Sequence, residues 1–332
     1  MSEKDQEGDR QVPEPVSAAD EGAPPTDSAL VRVELAAVSH KGLVRANNED
    51  HYLVLRYGRT LEKLLTNLPD QVLNRSDEVG YGILVADGMG GPAAGEVASR
   101  LAILTLLDLL IRTPDWIFGT GLRLTEEVER RLAERYLQVD AALRREAALH
   151  SGLAGMGTTM TVARSVSNQL VIGHIGDSRA YLFRQGTLHQ LTKDHTLVQS
   201  LVEEGEMTRD EATEHPLRHA LSRSIGAHSA PSDGDFQHIQ IADNDQLLLC
   251  TDGLSDMVDS GTIASVLGSA KTAKKACNTL VQQALQKGGR DNVTVVLARY
   301  RNPPAAGTPG RSFAPFRALR SWWSSIPGRL PR

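Results

Sequence analysis

Between residues 31 and 300 the chain alternates apolar runs with short polar breaks of Gly, Asn, Asp and Ser. VRVELAAVSH (31–40), HYLVL (51–55), YGILVADG (81–88), TTMTVARSV (158–166), QLVIGHIG (169–176), RAYLFR (179–184) and DQLLLCTDG (245–253) are rich in β-branched and aliphatic residues and read as strands. The breaks SVSNQ and RQGT look like hairpin connections and predict antiparallel pairing. Elsewhere apolar residues recur three and four apart. This spacing predicts helices over 95–113 and 125–150, with Val128, Leu132, Val139 and Leu143 on one face of the second. A third helix, over 272–289, ends in a Gly pair suited to a C-cap. Strands, then paired helices, then hairpins and a late helix predict an α+β fold rather than a βαβ repeat.

Composition bounds the rest. With 332 residues, 40% hydrophobic and 23% charged, the chain is globular; 5 Phe, 3 Trp and 6 Tyr leave the core to Leu, Val, Ile and Ala. Residues 1–30 hold eight acids, two bases and four prolines, a composition that predicts a disordered acidic tail. Residues 301–332 hold six arginines, six prolines and no acid, and read as a second tail. Its arginines stand among Phe313, Phe316, Trp322 and Trp323, a mixture able to touch an anionic membrane surface; short length and prolines favour a solvated tail instead. The opposite end charges cancel, so residues 31–300, the folded part, carry the net −5 and give no reason to expect nucleic acid. Cys250 and Cys277 suit buried thiols in a reducing compartment. The longest apolar run, 101–111, is interrupted by Thr105 and Asp108, and the polar start lacks a secretory signal, so a cytoplasmic protein is expected.

Candidate chemistry lies where strands run out. Asp87 in VADGMGG and Asp252 in LLLCTDGLSD each end an apolar run and precede a glycine. Asp177 in IGDSRAYL lies between two strand-like runs, Asp291 in GGRDNVTVVL precedes another, and Glu49–Asp50 stand just before HYLVL. One Asp–Gly pair is ordinarily a turn. Five such acidic points, with no His–His or Cys–Cys ligand spacing beside them, suggest an oxygen-lined centre for Mg²⁺ or Mn²⁺, which take carboxylate, carbonyl and water ligands.

Together the strings resemble the type 2C, metal-dependent serine/threonine protein phosphatase family in its bacterial form. GLVRANNED (42–50), VADGMGG (85–91), GMGTTM (155–160), IGDSRAYL (175–182), LTKDHTLVQSLVEEGEMT (191–208), LSRSIG (221–226), LLLCTDGLSD (247–256) and GGRDNVTVV (288–296) follow in that family's order. The resemblance implies a β-sandwich of two mostly antiparallel sheets flanked by pairs of helices, a four-layer αββα arrangement over residues 31–300, with a flap at about 196–224. It also implies two Mn²⁺ or Mg²⁺ ions bridged by Asp87, with the Gly88 carbonyl on one and Asp252 and Asp291 on the other. Glu49 and Asp50 would act largely through water, and Asp177 with Asp252 would match a third, weaker ion position. Arg45 would bind the phosphate through its planar fork. A metal-bridging hydroxide would then attack phosphorus directly in phosphoserine and phosphothreonine proteins, among them a serine/threonine kinase that the enzyme counteracts.

One departure is visible. Met89 follows the Asp–Gly where many eukaryotic relatives carry a histidine, and a thioether has no proton to give a leaving alkoxide. That role would fall to metal-bound water or another group, His195 being one candidate against its reading as a structural hydrogen-bonder; Thr158 and Thr159 read as strand residues, and the ten histidines as surface or core residues. The segment 61–80 is longer than a hairpin needs. Two other readings share the motifs, a catalytically dead phosphoprotein binder and a hydrolase of small phosphate esters. The intact Asp87, Asp252 and Asp291 speak against the first.

Overall fold

The computed structural model describes residues 32–62, 75–91, 94–112, 122–166, 168–227 and 234–301. Both tails and the middle of the 61–80 segment lie outside the described residues. In chain order, β1 (Arg32–His40), β2 (Asp50–Glu62) and β3 (Arg75–Met89) precede helices α1 (Ala94–Arg112) and α2 (Leu122–Leu149). Then come β4 (Gly157–Thr158), β5 (Met160–Val166), β6 (Gln169–Ile175), β7 (Arg179–Arg184) and β8 (Thr187–Gln190). Short helices α3 (Leu197–Glu203) and α4 (Arg209–Glu214) are followed by β9 (Asp235–Gln240), β10 (Gln246–Cys250), α5 (Asp252–Ser255), α6 (Ser260–Ser269), α7 (Ala273–Gln286) and β11 (Val293–Arg301).

The strands form two sheets, ordered β1-β11-β10-β7-β8 and β2-β3-β5-β6-β9, with β4 pairing to the end of β3. Every ladder with a described register is antiparallel. Alternation along each strand divides its side chains between two layers. In β3, Ile83 and Val85 pack between the sheets with Leu247, Leu249, Val296 and Ala298, while Leu84 and Ala86 turn outward. Those outward residues meet Ala98, Ala102 and Leu106 of α1 and Leu132, Val139 and Leu143 of α2. On the other side Leu248, Cys250, Val295 and Leu297 meet Ile263 and Leu267 of α6 and Ala276, Leu280 and Ala284 of α7. The result is the expected four-layer α+β sandwich. Each fully buried Leu, Val or Ile contributes roughly 1.5–3 kcal/mol, so three apolar layers dominate the folding energy.

Local signals held where they were strongest. The RQGT turn carries Gln185 and Gly186 both at positive φ, which suits a tight β7–β8 hairpin. Thr272 caps α7 by accepting from the Lys275 N–H. The SVSNQ connection joins β5 to β6 in one antiparallel pair. The next pair, β6 and β7, belongs to different sheets, so the chain crosses between them at Gly176–Asp177–Ser178. The 61–80 segment is explained in part: β2 and β3 stay paired out to Glu62 and Arg75. Both cysteines are buried and unpaired, and burial pushes their thiols up to about 12. No described helix is long and apolar enough to cross a membrane.

Candidate metal centre

Asp50 and Asp87 face each other at the open end of the β2–β3 ladder. The backbone of Asp87 is fastened on both sides: its N–H donates to Thr159 Oγ1 at 2.9 Å. Its carbonyl accepts from the Thr159 N–H at 2.9 Å and from Thr158 Oγ1 at 2.8 Å. These threonines thus do more than extend a strand; they fix where the Asp87 carboxylate starts. Gly88 is required by a close approach, because a Cβ there would stand 2.0 Å from the Gly95 carbonyl oxygen of α1. The Gly88 N–H donates to the Glu49 carbonyl, and a Cβ on Gly95 would lie 2.3 Å from Glu49 Oε2. Glu49, Gly88 and the first turn of α1 are therefore packed as one unit.

The other sheet brings its own acids to the same place. Thr251 Oγ1 donates to Asp50 Oδ2 at 2.7 Å and accepts from the Thr294 N–H, tying the ends of β10 and β11 to the start of β2. Asp252 follows Thr251 directly and Asp291 stands two residues before β11. Asn292, unremarked in the sequence, anchors the 41–49 turn: its Oδ1 accepts from the Glu49 N–H, and its Nδ2 donates to the carbonyls of Lys41 and Asn47.

The charges on these acids are poorly compensated by the chain itself. Asp50 is 4% exposed, its Oδ1 has no hydrogen-bond partner among the described residues, and burial raises its carboxyl to about 7. Asp87 is pushed well above the carboxylate range by burial and then by repulsion from Asp50, Asp252, Asp177 and Asp291. Asp252 is raised in the same way, and its Oδ1 too is buried without a partner among the described residues. Such a group of oxygen donors with excess negative charge fits hard divalent cations. Arg45 lies at the rim, half-exposed, with Nη2 2.7 Å from Asp291 Oδ2; this bond is the main reason its own pKa is raised.

Asp177 occupies the crossing between the sheets, after Gly176 at φ +111°, where a Cβ would strike Thr159 at 2.5 Å. Burial and the neighbouring Asp194 raise its carboxyl to about 7. Asp194 itself is gripped at two points by Arg179, Nε to Oδ1 at 2.9 Å and Nη2 to Oδ2 at 2.6 Å. His195 is 4% exposed and clamps the turn: its Nδ1 accepts from the Gly176 N–H at 3.0 Å and its Nε2 meets Asp235 Oδ2 at 3.0 Å. Both ring nitrogens are committed to the fold, which favours the structural reading of His195 over proton donation. One surface histidine stands beside these acids. His219 brings Nδ1 to 3.7 Å from Asp252 Oδ2, and one ligand atom each from Asp177, His219 and Asp252 lie within 4.8 Å of one another. Nothing in the polar stretch around His219 announces this.

With this geometry in view, comparison with known proteins is informative. The Protein phosphatase 2C family profile matches residues 59–293. The chain is 37% identical over 215 residues to the serine/threonine phosphatase stp of Listeria welshimeri, covering 65% of this chain and 82% of that protein. It is 39% identical over 263 residues to the serine/threonine protein phosphatase PstP of Mycobacterium tuberculosis, covering 79% of this chain but only 44% of PstP. The crystal structure of the PstP catalytic domain in complex with two manganese ions superposes with a TM-score of 0.63 at 36% identity, over 82% of this chain and 99% of that one.

Proposed function

The chain belongs to the protein phosphatase 2C family and is a metal-dependent protein-serine/threonine phosphatase; from that premise we propose how its residues divide the work. Asp87, the Gly88 carbonyl, Asp252 and Asp291 would hold two divalent ions, Mn²⁺ or Mg²⁺, with Glu49 and Asp50 contributing largely through water. Asp177 and Asp252 would hold a third. When bound, these ions acidify water and neutralise charge on the phosphoryl oxygens. Asp87 can be aimed because Thr158 and Thr159 lock its backbone, and Asp50 because Thr251 holds one oxygen and leaves the other free. Arg45 swings from Asp291 to take two oxygens of a phosphoserine or phosphothreonine phosphate, and water attacks phosphorus directly without a covalent phosphoenzyme.

The observation that carries this reading is the convergence of Asp50, Asp87, Asp252 and Asp291 from both sheets, with buried oxygens on Asp50 and Asp252 that no donor among the described residues satisfies. As a phosphatase acting on phosphoproteins, the enzyme counteracts a serine/threonine kinase in the cytoplasm and has that kinase among its substrates. Phosphate release from phosphopeptides and from sugar phosphates at equal concentration, with Mn²⁺ and after exhaustive chelation, tests the proposal. Mn²⁺-dependent release confined to phosphopeptides is expected. Full turnover after chelation refutes the metal roles, and faster turnover of sugar phosphates refutes the protein substrate.

A further inference from the structure

We propose that His219 is a nitrogen ligand of the third divalent ion, with Asp177 and Asp252, and that this ion ties the excursion 196–221 to the core. The inference rests on the reading of Asp177 and Asp252 as ligands, to which it adds His219 from the excursion.

Four observations carry it. The three ligand atoms already lie within 4.8 Å of one another. Ligands about 2.1 Å from one octahedral ion stand about 3–4.2 Å apart, so a closure of less than about 1 Å completes the site. His219 also has the second partner that metal-bound imidazoles ordinarily keep: Nε2 is 3.3 Å from Asp256 Oδ2, which orients Nδ1 toward Asp252. Asp177 is buried, and among the described residues no side chain donates a hydrogen bond to it; Asp252 Oδ1 is buried and unpartnered. Finally, His219 is delivered by a closed loop. Thr196 bridges to Leu221, the Leu197 N–H donates to the Ala220 carbonyl, and the Ser222 N–H donates to the His195 carbonyl. Helices α3 and α4 lie within this loop, and a cleft of about 990 Å³ between them and the core contains Asp177, His219 and Asp252 in its wall.

A set of one imidazole and two carboxylates favours Mn²⁺ or Zn²⁺ over Mg²⁺, unlike an oxygen-only centre. Ion binding there would fasten α3 and α4 over the cleft. Pulsed electron paramagnetic resonance of the Mn²⁺-loaded full chain, with equilibrium dialysis for stoichiometry, tests this. Wild type is expected to bind three ions and show imidazole nitrogen coupling, with amide exchange in 197–220 slowed by Mn²⁺. His219→Ala should bind two ions, lose that coupling and lose the slowing; Asp256→Asn should weaken the third ion roughly tenfold. His219 and Asp256 are 42% and 30% exposed, so both variants are expected to stay folded, which thermal melts of the metal-free proteins check. Bound Mn²⁺ without nitrogen coupling, or coupling that survives His219→Ala, overturns the role of His219 alone. A chain that binds no Mn²⁺ overturns the whole metal reading as well.

Discussion

Asp50→Asn should make the metal-free protein more stable at alkaline pH while weakening its hold on metal. Burial raises the Asp50 carboxyl from 3.8 to about 7, so between those values the folded chain keeps a proton that the unfolded chain has released. The unfolded state then binds fewer protons, and stability falls as pH rises across this window. At about 1.4 kcal/mol per pH unit, the loss is on the order of 2 kcal/mol at pH 5 and on the order of 4 kcal/mol above pH 7. Asparagine removes this term. Its carbonyl can still accept from Thr251, but its amide enters the place of the unpartnered Oδ1 and goes unsatisfied, at about 1–3 kcal/mol. The net gain at pH 8 is about 2 kcal/mol, or roughly 4–8 °C in Tm for a domain of this size. Thermal unfolding by circular dichroism in chelator, at pH 5 and pH 8, measures it. The wild-type Tm should drop between the two, the variant should drop less and melt higher at pH 8, and added Mn²⁺ should raise wild type more than the variant. Equal pH dependence in both proteins, or a variant melting lower at pH 8, would refute the electrostatic account of Asp50.

Arg45→Ala should raise KM for a phosphopeptide several-fold and change stability by less than about 1 kcal/mol, because its pair with Asp291 is largely exposed; unaltered KM and kcat would remove Arg45 from the phosphate. Gly88→Ala should destabilise by at least about 2 kcal/mol in urea melts, since the new methyl meets the Gly95 carbonyl at 2.0 Å against a packed helix start. His195→Ala should cost about 2–3 kcal/mol in the same assay by stranding the Gly176 N–H and leaving a cavity. Its residual phosphatase activity should keep the wild-type pH profile, as expected of a fold-holding histidine; a lost alkaline limb would return His195 to proton donation.

Much of this protein is legible in its residues alone. Strand and helix positions follow from alternation and from three-and-four spacing, which are local consequences of backbone geometry; 95–113 and 125–150 became α1 and α2 within a few residues. The acidic residues at strand ends stand out because Asp–Gly steps end apolar runs. Which strands pair is another matter. LLLC in β10 is buried on both faces, Leu247 and Leu249 between the sheets and Leu248 and Cys250 under α7, so its hydrophobicity cannot say which face meets which layer. Only the long-range ladders decide that β6 and β7, adjacent in sequence, lie in different sheets and leave Asp177 at the crossing. The same holds for Thr158, Thr159 and Asn292, whose polar groups gain meaning from Asp87 and Glu49, partners 71 to 243 residues away. His219 shows the limit most clearly. It sits in a polar stretch with no ligand spacing, and its approach to Asp177 and Asp252 exists only because the bridge between Thr196 and Leu221 folds the loop back onto the core.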